Sequence, residues 1–106
     1  AAIDLGCGSG RDTAALAKRG WQVLAIDGNR GSLDLLRERL TARQSERVTT
    51  RHVDFRRARF PRVDLIVASY ALPFCPPHEF DRLWTRITNA ILPEGRFAGH
   101  FFGPRD

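Results

Sequence analysis

Short apolar runs alternate with amphipathic segments along the whole chain. Ala1–Leu5 is apolar apart from Asp4 and reads as the tail of a buried strand. Arg11–Arg19 carries strong helix formers and meets Gly20, a helix stop. Trp21–Ile26 is a second strand that closes on Asp27, and Gly28-Asn-Arg-Gly31 makes a turn. Ser32 stands where an N-cap is expected, and Leu33, Leu36 and Leu40 then fall on one helical face, with Arg37, Glu38 and Arg39 toward solvent. This helix fades through Thr41 to Ser45. Val48–Val53, rich in β-branched residues, is a third strand, and Val63–Ala68 is apolar enough to be a central one. Three prolines stiffen the segment from Ser69 to Pro77. His78–Leu92 places Phe80, Leu83, Trp84, Ile87 and Ile91 on one helical face, Pro93-Glu94-Gly95 turns the chain, and Arg96–Phe102 is a fifth strand.

Strands that alternate with helices argue for an α/β domain with a mostly parallel sheet and helices on both faces. In such sheets ligands bind outside the carboxyl ends of the strands. The first strand ends in Gly6-Cys-Gly-Ser-Gly10, directly before a helix. Glycines there allow positive φ and let a ligand lie against backbone. Asp27 ends the next strand about twenty residues after the first glycine, where a carboxylate can accept from both hydroxyls of a ribose. The spacing G-x-G-x-G followed by Arg11 departs from the dinucleotide fingerprint G-x-G-x-x-G, whose third small residue allows close helix packing.

The chain of 106 residues is at most one domain and contains no methionine. It begins within a strand, so it reads as a piece of a longer protein. Seventeen basic residues against twelve acidic give a formal charge of +5, and all the basic residues but Lys18 are arginine. A general bias toward arginine accounts for most of this. The densest run, Arg51 to Arg62 with Phe55 and Phe60 inside it, is the one segment that suggests a nucleic-acid surface. Cys7 and Cys75 make neither a disulfide framework nor a metal spacing, which points to a reducing cytoplasm and to no metal site. No apolar stretch reaches the length of a membrane span, so no membrane partner is expected.

Asp4-Leu-Gly-Cys-Gly-Ser-Gly10, with Asp27 and Asp54-Phe55 following in order, resembles the class I S-adenosylmethionine-dependent methyltransferases. The resemblance covers nearly the whole chain. It implies a Rossmann-like doubly wound parallel sheet of order 3-2-1-4-5, truncated at both ends, with residues 1–106 forming an incomplete cofactor-binding domain. It implies S-adenosylmethionine as cofactor and methyl transfer to a small-molecule acceptor. On this reading Gly6 and Gly8 let backbone approach the ligand, Cys7 contributes main chain, Arg11 pairs with the methionyl carboxylate, Asp27 accepts from the ribose hydroxyls and Gly28 belongs to the same cofactor-binding set. Asp54 and Phe55 receive adenine, Ser69 and Tyr70 flank the methyl group, and Asp4 is structural or near the amino end. Gly-Cys-Gly-Ser-Gly-Arg-Asp12 and Gly20-Trp-Gln-Val further resemble small-molecule methyltransferases of the tellurite-resistance and thiopurine kind, which implies a soft acceptor atom.

No catalytic base can be named. His52, His78 and His100 lack spacing partners, and in-line displacement at a sulfonium can run largely on positioning. Ser69-Tyr-Ala-Leu-Pro-Phe74 departs from the Asn/Asp-Pro-Pro-aromatic pattern of amine methylation and leaves the acceptor open. Two rivals remain: a nicotinamide-dependent oxidoreductase, which shares the glycines and Asp27, and a non-enzymatic RNA-binding or interaction module. With its later neighbours absent, the fifth strand is expected at an edge flanked by Phe97, Phe101 and Phe102, which favours self-association.

Overall fold

The computed structural model describes residues 1–8, 10–68 and 75–99. Five strands, β1 (Ala2–Leu5), β2 (Val23–Asp27), β3 (Val48–His52), β4 (Val63–Ala68) and β5 (Ile91–Gly99), form one sheet of order β3-β2-β1-β4-β5. Every pairing is parallel. Four helices, α1 (Arg11–Lys18), α2 (Arg30–Arg39), α3 (Ala42–Ser45) and α4 (Pro77–Ala90), connect them. The α/β class and the expected strand order are both present.

Period-two alternation sorts the strand residues between two cores. Ile3, Leu5, Ile26 and Ile66 pack with Leu83, Ile87 and Ala90 of α4. Val23, Ala25 and Val48 pack on the other face with Ala17 of α1 and Leu33 and Leu36 of α2. Burial of these apolar groups is the main force holding the layers together. The rings of Phe80 and Trp84 stack at 6.2 Å, and Phe97 of β5 meets Trp84 edge-on at 5.0 Å. Phe97 is therefore half-buried against α4; Phe101 and Phe102 lie outside the described residues.

Local signals placed the elements, and among the boundaries that differ from the sequence expectation three have a clear local cause. α2 begins two residues before Ser32, because the Asn29 side chain accepts from the Ser32 N–H at 3.1 Å and is itself the cap. The segment after Leu40 is a separate turn of helix, α3, closed by a capping box between Thr41 and Gln44. α4 ends at Ala90, so Ile91 and Leu92 belong to β5. Pro93, Glu94 and Gly95 form a bulge inside that strand: between the pairs Val63↔Ile91 and Leu65↔Arg96, β5 advances five residues while β4 advances two. Glu94 has φ 67° there.

Candidate functional site

The parallel sheet brings the carboxyl ends of β1, β2 and β3 side by side. At the end of β1 the chain turns on Gly6 (φ 68°) and Gly8 (φ 54°), both in the left-handed region. The N–H groups of Gly6 and Cys7 donate to the Ile26 carbonyl at 2.7 and 3.2 Å, which ties this turn to the last residues of β2. A Cβ added at Gly8 would meet nothing within 4 Å, so the backbone at that point faces open space.

Asp27 is the hub of the site. One carboxylate oxygen accepts from the Gly8 N–H at 2.9 Å and the other from the Asn29 N–H at 2.8 Å. Each oxygen can accept more than one bond, so the carboxylate keeps acceptor capacity toward the cleft while its orientation is fixed. In the sheet register Asp27 lies opposite His52, the last residue of β3. His52 Nε2 donates to the Gly28 carbonyl at 3.0 Å, which ties the β2 turn to β3.

Beyond β3, Asp54 accepts from Arg56 through its backbone N–H and its guanidinium, with a closest approach of 2.7 Å. This guanidinium holds the Asp54 carboxyl below the usual carboxylate range. Arg56 also reaches Glu79 in the first turn of α4 at 2.9 Å. Arg86 of α4 clamps the same segment from below, donating to the carbonyls of Phe55, Arg56 and Ala58. Its guanidinium lies 5.3 Å from the centre of the Phe60 ring.

These elements enclose a cleft of about 570 Å³ lined by Gly6, Gly8, Asp27, Gly28, Asp54 and Phe55, together with Asn29, His52, Val53 and Arg56. Six of the ten expected ligand-binding residues thus come together. Cys7 lies buried behind the wall, its Sγ 4.0 Å from Asp27, and burial beside Asp4 and Asp27 pushes its thiol up to about 12. Arg11 is exposed in the first turn of α1 and is not part of the cleft wall. Ser69 and Tyr70 lie outside the described residues.

Asn29, His52, Val53 and Arg56 were not anticipated as lining. In a parallel sheet the carboxyl ends of neighbouring strands lie along one edge, and here the register sets His52 directly beside Asp27. Behind the loop, Asp4 is buried and accepts from Thr13 Oγ1 of α1 at 2.6 Å. Burial raises its carboxyl to about 6 against the lowering effect of the Thr13 bond. Asp4 therefore ties β1 to α1. Among the described residues no cluster of His, Cys, Asp or Glu could hold a metal ion, and no helix is long and apolar enough to cross a membrane.

The donor set fits an adenosyl ligand. A carboxylate stands at the end of β2, an aromatic and a second carboxylate stand beyond β3, and an uncovered glycine backbone at the end of β1 flanks the first carboxylate on its other side. The volume falls within the usual range for small-ligand sites.

A family model described as a methyltransferase domain matches residues 2–95. Carboxy-S-adenosyl-L-methionine synthase of Shewanella amazonensis is 33% identical over 97 residues, spanning 87% of this chain and 40% of that protein. Trans-aconitate 2-methyltransferase of Pseudomonas aeruginosa is 34% identical over 106 residues, spanning 97% of this chain and 36% of that protein. The chain thus spans about two fifths of the length of these relatives. An S-adenosylmethionine-dependent methyltransferase from Mesorhizobium loti superposes with a TM-score of 0.81 at 26% identity, covering 92% of this chain and 44% of that one. With the family match extending from β1 into β5 and the glycine turn, Asp27 and Asp54 meeting in one cleft, the chain belongs to the class I S-adenosylmethionine-dependent methyltransferase family.

Proposed function

We propose that this chain binds S-adenosylmethionine in the cleft between the glycine turn and β3, and that the protein containing it methylates a small-molecule acceptor. The observation that carries the reading is Asp27, oriented by two backbone N–H groups and lining the same cleft as Gly8, Asp54 and Phe55. Asp27 would take the ribose hydroxyls, and Gly6, Gly8 and Gly28 would let backbone approach. Phe55 would offer its ring to the purine, and Asp54 would accept from the exocyclic amine with an acceptor site not taken by Arg56. S-adenosylmethionine supplies a methyl group made electrophilic by its sulfonium. The chain's own contribution on this reading is to bind and orient, since positioning alone accounts for large rate factors in such transfers. The small-molecule acceptor is supported by relatives such as the trans-aconitate enzyme, whose name specifies one.

Calorimetric titration with S-adenosylhomocysteine, beside Asp27→Ala, tests the reading. Binding by the parent and at least tenfold weaker binding by the variant are expected, since hydrogen bonds to a charged group contribute about 1.5–3 kcal/mol. Absence of binding by the folded parent, or undiminished binding by Asp27→Ala, refutes it.

A further inference from the structure

A second concave surface lies outside the cofactor cleft, between α4 and the segment that follows β3. One part, about 590 Å³, is lined by Arg56, Arg57, Arg82 and Arg86 with Asp81 and Thr85. Another, about 280 Å³, is lined by Arg59, Arg62 and again Arg86, with Phe60, Asn89 and Ala90. Arg86 lines both, so the two parts adjoin at that residue as a groove beside α4, and Arg56 lines both the first part and the cofactor cleft.

The charges in this groove are not balanced. Arg56 is paired with Asp54 and Glu79. Among the described residues Arg86 donates only to carbonyl oxygens, which orient its guanidinium without neutralising it. Arg57, Arg59, Arg62 and Arg82 are exposed and lie in no ion pair among the described residues. Among the described residues Asp81 is the one carboxylate lining either part. Six arginines therefore stand over three carboxylates, counting those that hold Arg56, in a chain whose whole formal charge is +5. A general arginine bias would spread such charge over all faces; here more than half of the excess follows one groove.

The shape and chemistry select among anions. The groove is long, open and lined by guanidinium forks, which match phosphate oxygens in pairs. Arg82 and Arg86 are one helical turn apart, about 6 Å along the axis, so successive charges can meet successive charges of a chain. Phe60, with the Arg86 guanidinium 5.3 Å from its ring centre, adds the aromatic and guanidinium groups that nucleic-acid bases stack on. We propose that this groove is a docking surface for a single-stranded nucleic acid, whose phosphodiester backbone runs along Arg57, Arg82 and the 59–62 segment beside the cofactor cleft.

The test is fluorescence anisotropy of a labelled twelve-nucleotide single-stranded RNA titrated with the full chain at several salt concentrations. With four unpaired arginines engaged, the logarithm of affinity should fall with the logarithm of salt at a slope of about −3, or about fiftyfold between 50 and 200 mM. Arg57→Glu with Arg82→Glu should lower the affinity at least tenfold and flatten the slope by about 1.4. Arg39→Glu with Arg43→Glu makes the same charge change on exposed positions of α2 and α3 and should alter affinity less than threefold. Circular dichroism of both variants establishes that they are folded, and neither arm requires the cofactor. Three results would overturn the proposal: unchanged binding on reversing Arg57 and Arg82, an equal loss from the Arg39 and Arg43 reversal, or a labelled heparin fragment of equal charge binding as tightly as the RNA.

Discussion

Gly10 is the point at which the ligand-binding turn meets the helix layer, and its replacement by alanine isolates two separate costs. Gly10 has φ 84° and ψ 15°, caps α1 without a side chain, and is buried. A left-handed conformation costs a residue with a Cβ about 1–2 kcal/mol. The added Cβ would also press on Leu36 of α2, reaching its Cδ1, Cβ and Cγ. Leu36 is fully buried, so it cannot swing into solvent, and overpacking of this kind costs about 1–3 kcal/mol. Gly10→Ala should therefore lose about 2–5 kcal/mol, a large share of the stability of a domain this size. The assay is urea unfolding of four proteins: the parent, Gly10→Ala, Leu36→Ala and the double variant. Leu36→Ala alone should cost about 2–5 kcal/mol as a cavity. The double variant should be more stable than the sum of the singles implies by about 1–3 kcal/mol, because the alanine methyl enters space that Leu36 has left. Additive losses would refute the reasoning, since the backbone conformation alone would then account for the glycine.

Asp4 and Arg86 carry further expectations. The Asp4 carboxyl is raised to about 6 in the folded chain, above its ordinary value of 3.8, so the folded state holds this proton more tightly than the unfolded state. Stability should thus fall, by up to about 3 kcal/mol, as pH rises from about 4 to about 6, and Asp4→Asn should flatten that dependence in urea midpoints measured across the range. A parent profile identical to that of Asp4→Asn would contradict it. Arg86→Ala strips three carbonyls of their donor beneath Phe55 and should cost about 2–4 kcal/mol while weakening S-adenosylhomocysteine several-fold, read by thermal melting and calorimetry. An unchanged melting temperature would show that the clamp is idle.

The order of elements was legible because each has a local cause. Apolar runs of strand length, helical spacing at Leu33 and Leu36, and glycines at the end of β1 are properties of neighbouring residues, and the sheet order came with the family resemblance. The missed boundaries have local chemistry that competes with pattern. Asn29 caps α2 although Ser32 is an equally good cap by type, since both oxygens suit the task and only the chain path selects one. Ile91 continues the helical stripe of α4, yet pairs with Val63, because the bulge at Pro93–Gly95 lets β5 begin earlier.

For the site, the sequence by itself put Gly6, Gly8 and Asp27 at strand ends where the fold class puts ligands, the family resemblance added Gly28, Asp54 and Phe55, and all six line one cleft. Only the tertiary structure decided the rest. His52 enters the cleft through its register with Asp27, and Arg56 through ion pairs to Asp54 and to Glu79, twenty-three residues away. Arg11 carries the expected charge at a helix start, and it is exposed there and does not line the cleft. The charged groove shows the same division. The run from Arg51 to Arg62 is visible in the sequence, but its alignment with Arg82 and Arg86 exists only once α4 packs across the sheet. A residue type fixes what chemistry is available, whereas long-range packing fixes which chemistries meet.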